Sequence, residues 1–218
     1  MGEFHKATKE DVPHIAKMMA ASFVTYPFVA HFLKDSFGCK EKELYFLEKT
    51  CAVLIKALMR KGVCFFEKRG GEVRAFCILS SIEDMKPSAW DIVSSGAVGL
   101  FPYLFKRGVL RFVLFYLGEA ANVSFAEYEG AWYVHLFAVS PYHQGQALGS
   151  EMMNGCIVPY VRRQGGKRVL LSTNTEMALG FYTKNGFQII AQDQIANAGE
   201  VFEKWDLLQI LREEEAEE

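Results

Sequence analysis

The residues best placed to do chemistry lie between Ala131 and Gly149: Ala-Trp-Tyr-Val-His-Leu-Phe-Ala-Val-Ser-Pro-Tyr-His-Gln-Gly-Gln-Ala-Leu-Gly. An apolar run with strand character stops at Ser140-Pro141. A short polar loop of small residues follows, and a helix-period pattern begins at Leu148. The first backbone N–H groups of a helix have no internal partner, and the macrodipole favours negative charge there. A strand–loop–helix junction of this kind therefore suits a phosphate. Gly145, Ala147 and Gly149 keep bulk away from the backbone where an anion must come close. At this level the chemistry is an anion held at a helix start, with the anion's identity open.

The elements that must position this junction can be read from periodicity and breakers. Phe4 to Ala7 is a candidate strand, and a helix follows with Val12, Ile15, Ala16, Met19 and Phe23 on one face. Thr8 or Asp11 could cap it; Pro13 favours Asp11, since proline then occupies the first turn, where a missing N–H breaks no bond. Ser22 to Pro27 breaks that helix, and Phe28 to Leu33 forms a further short one. Glu41 to Arg60 has the best helical period, with Leu44, Leu47, Cys51, Leu54, Ile55 and Leu58 on one face and Gly62 just past its end. Val63 to Lys68 and Val73 to Ser80 read as strands around the turn Arg69-Gly70-Gly71-Glu72.

Residues 90–125 are rich in Phe, Leu, Tyr and Val, while Lys106, Arg107 and Arg111 interrupt any run long enough for a membrane. They read as short helices inserted as a cover over something apolar. Past the loop, Leu148, Met152, Met153, Cys156, Ile157, Tyr160 and Val161 mark a helix, with a kink expected at Pro159. Lys167 to Thr173 is a buried strand of parallel type, and Glu176 to Asn185 a helix closed by Gly186 in a left-handed cap. Phe187 to Ala191 and Val201 to Ile210 are last strands, paired across a loop containing Asn197, Ala198 and Gly199. The order is mixed α/β: a single domain over residues 1–212, then an acidic, solvated tail at 213–218.

Composition narrows the function classes. The chain has 218 residues, half of them hydrophobic (50%), enough for a sizeable core. A net charge of −2 argues against a nucleic-acid partner held by phosphate contacts. Five cysteines without a CxxC pair read as reduced thiols of a cytoplasmic protein and give no zinc site. The N-terminus has no apolar signal segment, and Lys6 stands where a myristoylation motif needs Ser or Thr, so no membrane association is expected.

Leu136-Phe-Ala-Val139-Ser-Pro141, followed by Gln144-Gly-Gln-Ala-Leu-Gly149, resembles the acetyl-CoA pyrophosphate loop of the GCN5-related N-acetyltransferases (GNAT). That loop reads Gln/Arg-x-x-Gly-x-Gly/Ala after a strand ending in Val-x-Pro. Phe181-Tyr182-Thr-Lys-Asn-Gly186-Phe187 resembles the same family's C-terminal Tyr-x-x-x-Gly-Phe motif. The two occur in the family's order and on its elements. Ala7-Thr-x-x-Asp-Val-Pro13, Ala20-Ala-x-Phe23, Tyr26-Pro27, His31, Ala131-Trp132 and His143-Gln-Gly145 are similar to puromycin N-acetyltransferase-like members. Two departures stand out: Ala147 occupies a position most often glycine, and the asparagine customary before the tyrosine is replaced by Thr175, with Asn174 one residue earlier.

The resemblance implies an α/β fold of the α+β type, whose mixed, mostly antiparallel sheet is flanked by helices and has splayed middle strands. It implies that backbone N–H groups of Gln144, Gly145, Gln146, Ala147, Leu148, Gly149 and Ser150 hold the CoA pyrophosphate, with Asn174 also on the cofactor. Main-chain groups of Phe137, Ala138 and Val139 would pair with the pantetheine arm, and one of their N–H groups would hold the oxyanion. Tyr182 would act as general acid towards the departing thiolate, with neighbouring Phe181 facing another way. His135 suits the general base by its intrinsic pKa, Tyr133 sharing its strand face; Glu127, Glu129, His31 or a water chain are alternatives. Tyr26, Phe28 and His31 would line the acceptor pocket, with Phe23 and Phe32 beside them. The aromatic section Phe101–Tyr116 could complete that pocket, pack on the sheet or form a homodimer face. The reaction implied is acetyl transfer from acetyl-CoA, without a metal, to the primary amine of a small, partly apolar molecule, by direct attack. A protein N-acetyltransferase and a non-catalytic acyl-CoA-binding module are the other readings.

Overall fold

Side chains along β2 (Val63–Arg69) and β3 (Glu72–Ser81) alternate between two faces, and both faces are buried, so helices must cover the sheet on each side. Cys64, Phe66, Phe76 and Ile78 face α1 (Val12–Phe23) and α3 (Lys40–Leu58) in a first core. Val63, Phe65, Ala75, Cys77 and Leu79 face a second core, built with Met152, Ile157 and Tyr182. The computed structural model describes residues 3–122, 125, 127–197 and 200–211.

Its seven-stranded sheet has the order β1-β2-β3-β4-β5-β7-β6, with β1 Phe4–Lys6, β4 Trp132–Val139, β5 Arg168–Thr173, β6 Gln188–Asn197 and β7 Glu200–Ile210. All neighbours are antiparallel except β4 and β5. That one parallel contact is two pairs long, Trp132 with Val169 and Tyr133 with Leu170. Beyond Tyr133 the two strands part and leave a gap in the middle of the sheet. This is the mixed α/β architecture with splayed central strands that the sequence suggests.

The β2–β3 turn places Gly70 and Gly71 at φ of +61° and +87°, the positive values a two-residue hairpin turn requires. Residues 89–122 hold α4 (Ala89–Ser94), a 3-10 segment (Ala97–Phe105) and α5 (Arg107–Asn122), and α5 lies against α2 (Pro27–Leu33) through Phe112 and Phe115. Most of the 3-10 segment's aromatics stay outside, with Phe101 and Phe105 60% and 81% exposed. Among the described residues no helix is long and apolar enough to cross a membrane.

Three local expectations change. Asp11 occupies the N-cap position of α1 but does not cap it; its carboxylate accepts hydrogen bonds from the N–H and hydroxyl of Thr8 instead. The helix after the loop does not simply kink at Pro159. It runs as α6 (Leu148–Met152), a π-turn (Met153–Ile157) and α7 (Val158–Arg163), and the extra residue in the π-turn takes up the hydrogen bonding that a proline disrupts. Phe181 does not face away from Tyr182's surroundings: it stacks on Phe137 at 5.4 Å. Residues 198–199 and the acidic stretch 213–218 lie outside the described residues.

Candidate active site

β4 carries a one-residue irregularity at the centre of the site. Ile78 pairs with Leu136 and Leu79 with Val134, so His135 is left without a partner on β3. A bulge reverses the side-chain alternation. Trp132 and Val134 point to the second core, and so do Phe137 and Val139. Tyr133 lies on the other side, the side of Leu136 and Ala138. Tyr133 and His135 share a face as expected, while Val139 turns to the other, because equal parity holds only along a regular strand.

His135 turns towards β3, its Nε2 2.9 Å from Ser80 Oγ and its ring edge-on to Tyr133 with centroids 5.1 Å apart. The Ser80 hydroxyl donates to the Ser81 carbonyl at 2.9 Å, so its single proton is committed. With the Ser80 proton on the Ser81 carbonyl, Nε2 is the donor to Ser80 and Nδ1 the basic nitrogen; the other tautomer reverses this bond. Burial pushes the ring's pKa down to about 4. The folded protein thus holds His135 neutral where an unfolded chain takes up a proton near the ordinary histidine value of about 6.5. Stability contributed by this group is complete above that value and is lost as pH falls towards 4. Thermal melting followed downwards from neutral pH should show less acid destabilisation in His135→Gln than in the parent.

Tyr182 is fixed from both ends of α8 (Glu176–Lys184). Thr175, at the position of the missing asparagine, is the N-cap and accepts from the Ala178 N–H. At the other end Gly186 adopts φ +88°, with Gly186 N–H bonded to Thr183 O and Phe187 N–H to Tyr182 O, the crossed pair of a left-handed C-cap. Phe187 packs on the Tyr182 ring at 5.5 Å, and Phe137 approaches it at 6.2 Å. Asn185 adds a network that sequence reading missed: its amide donates to Phe181 O and accepts from Asn154 of the π-turn, while Gln209 donates to its carbonyl. Burial raises the Tyr182 phenol well above its usual value, with Cys77, Tyr26 and Tyr133 within electrostatic reach.

Those two tyrosines come from opposite sides of the gap. The Tyr26 hydroxyl, from the start of α2, bonds the Asn174 main chain and the Thr173 side chain at the end of β5. Tyr133 donates to Ser172 Oγ at 3.3 Å, and Ser172 donates to Asp206. Phe28 and His31 rest on Phe202 of β7, with ring centroids at 4.4 and 5.6 Å. Phe202 and Phe115 complete this aromatic wall, and no local pattern links them to α2 because the contacts are long-range. Glu127 and Glu129 are exposed in the turn before β4, on the far side of the two β4–β5 pairs from the gap. Cys156 is buried and its thiol is pushed up to about 11, no setting for a thiolate nucleophile.

The loop begins where Ser140 N–H bonds Arg74 O. Gly145 has φ +76°, and Ala147 adopts φ +59° despite its methyl group. The first helical bond runs from Glu151 N–H to Ala147 O, so the N–H groups of Leu148, Gly149 and Ser150 form the open first turn, with no side-chain cap. Gly149 serves packing: a Cβ there would lie 3.0 Å from Phe181 and 3.4 Å from Val139. Gln144 donates to the Val139 carbonyl at 3.2 Å, and Gln146 is exposed. Asn174 donates its amide to Glu203 O, a bond that ties β5 to β7. Left-handed backbone costs a non-glycine residue about 1–2 kcal/mol, and the entropy glycine loses on folding offsets part of that. Ala147→Gly should therefore gain roughly 0.5–1 kcal/mol in a urea titration.

Residues 110–189 match the family model described as the acetyltransferase (GNAT) domain. Solved structures share the fold over nearly the whole chain. One titled histone acetyltransferase HPA2 and related acetyltransferase, from Corynebacterium glutamicum, has 16% identity and a TM-score of 0.64, covering 99% of this chain and 100% of its own. An N-acetyltransferase from Staphylococcus aureus has 11% identity and a TM-score of 0.57 (97% and 99% covered). The ribosomal-protein-S18-alanine N-acetyltransferase from Escherichia coli has 12% identity and a TM-score of 0.54 (99% and 98%). The matched segment spans most of α5, β4, the loop, α6 to α8 and the crossover strand β5, while α2 and β7, which also border the gap, lie outside it. Over residues 110–189 the chain is thus similar to a GNAT acetyltransferase domain, which supports an acyltransferase.

Proposed function

We propose that the protein transfers the acetyl group of acetyl-CoA to the primary amine of a small, partly apolar molecule, by direct attack within a ternary complex. The observation that carries this is the placing of Tyr182, Tyr133 and Tyr26 around the gap between β4 and β5, next to the open helix start at Leu148. Leu148, Gly149 and Ser150 would give their N–H groups to the pyrophosphate. The main chain of Phe137 to Val139 would pair with the pantetheine arm; Gln144 must then release the Val139 carbonyl. In the reaction the amine nitrogen bonds to the acetyl carbon, the C–S bond breaks, and the sulfur leaves as thiolate towards Tyr182. The proton lost by the amine passes towards Nδ1 of His135 or to water. At a pKa of about 4, His135 is a hydrogen-bond acceptor that orients the amine and a weak base. Tyr26, Phe28 and His31 would line the acceptor side, where the aromatic wall favours an amine on an apolar body. The likeness to puromycin N-acetyltransferase-like members agrees with a small-molecule acceptor and does not name it.

Acetyl-CoA at about 100 times its Kd should stabilise the protein by about 2.7 kcal/mol, read as a rise in melting temperature. An amine panel with a free-thiol readout should then find acceptors among arylalkylamines. No thermal shift at saturating acetyl-CoA would overturn the reading.

A further inference from the structure

A cavity of about 500 Å³ opens between the C-terminal end of α2 and the start of α5. Its walls carry Lys34, Lys106, Arg107 and Arg111 against one carboxylate, Asp35. This is a concentration of positive charge in a chain whose net charge is −2. Lys106 is held in place, donating to Ser36 O at 2.8 Å and lying 5.0 Å over the Phe37 ring. Among the described residues, Lys34, Arg107 and Arg111 are in no ion pair. Cations gathered in one concavity suit an anion, and guanidinium groups suit carboxylate or phosphate oxygens best.

The cavity joins the acceptor side of the site through His31. That ring lines the cavity and also sits edge-on to Phe202, which packs on Phe28, which in turn neighbours Tyr26 at the gap. Tyr26 and His31 are five residues apart on α2, about 8 Å along a helix axis. The packed rings of Phe202, Phe28 and Tyr26 lie between the gap and the cations, so a molecule spanning the two would run along these rings or displace them.

We propose that the acceptor carries an anionic group, carboxylate or phosphate, at the end remote from its amine, and that this cavity receives it. The inference rests on the acceptor side assigned above. It narrows the substrate class to anionic amines with an apolar spacer, and it makes Arg107 and Arg111 specificity residues, remote from the reacting atoms.

Calorimetric titration of the full chain with phenylbutylamine and with its para-carboxylate tests this without requiring turnover. The carboxylated amine should bind about tenfold more tightly, a difference of about 1.4 kcal/mol. The double variant Arg107→Gln/Arg111→Gln should bring the two amines to parity while leaving affinity for the neutral amine unchanged. Both arginines are exposed, so the variant should fold, which its melting temperature checks. Equal affinities in the parent, or a preference that survives in the double variant, would overturn the proposal. Benzoate, which has no amine, separates this failure from that of the acetyl-transfer reading. Benzoate binding that the double variant loses, with no amine acetylated, sinks the acceptor assignment and with it the proposal, leaving only an anion site. Acetylation of neutral amines with no benzoate binding sinks the proposal and leaves the acetyl-transfer reading standing.

Discussion

Tyr182→Phe should lower turnover by about 10²-fold, while acetyl-CoA affinity and melting temperature stay close to those of the parent. The ring keeps its packing against Phe137 and Phe187, so only the hydroxyl is lost. What that hydroxyl supplies is constrained by its surroundings. Burial raises the phenol's pKa well above the ordinary tyrosine value, so the proton stays on oxygen at any working pH. Complete transfer to a thiolate of ordinary basicity would leave a buried phenolate, which is uphill. In the proposed reaction Tyr182 would therefore stabilise the departing sulfur by donating a hydrogen bond, strongest as charge develops. Steady-state kinetics with a thiol readout should show the loss in kcat and not in the KM for acetyl-CoA. A parent rate profile without a basic limb from Tyr182 would agree with the raised pKa, and unchanged turnover in the variant would remove Tyr182 from the reaction.

The second large effect concerns structure. A Cβ on Gly108 would lie 2.1 Å from Ser36 Oγ and 2.3 Å from the Phe32 carbonyl oxygen. The serine can rotate away; the carbonyl belongs to the last turn of α2 and cannot. Gly108→Ala should therefore push α5 off α2 and destabilise by about 1–3 kcal/mol in a urea titration. It should also loosen Phe112 and Phe115 from Phe32 and Phe28. Gly180→Ala is the contrasting control: nothing lies within 4 Å of its added Cβ inside α8, and helix propensity should make it stabilising by about 0.5–1 kcal/mol. Equal effects at both positions would show that close approach is not what Gly108 provides.

Much of the architecture was legible because it is written in local chemistry. Apolar runs bounded by turn residues marked β2 to β4, and Gly186 announced a left-handed cap that the backbone adopts. His135 shows where such reading stops. A bulge is a relation between two strands, visible only when Leu79 is found opposite Val134 and Ile78 opposite Leu136. Histidine's intrinsic pKa suggested a base near neutrality, but burial, which composition does not reveal, lowers it to about 4. Ala147 shows the reverse case: alanine argues against positive φ, and the loop imposes it anyway. Phe202 and the cations around α5 reach the acceptor side through tertiary contacts alone, which is why no motif announced them.

The shortness of the β4–β5 pairing also has a mechanical meaning. Four strands with α1 and α3 form one plate, three strands with α8 form another, and two residue pairs are the whole backbone seam between them. Local opening starts where backbone bonding is thinnest, so the seam is the sheet's natural crease. A molecule whose amides lie along the gap replaces the missing rungs and stitches the plates together. On the proposed mode of binding, the sheet's stiffness would come in part from what is bound in it, and the empty protein would be the more pliable of the two forms.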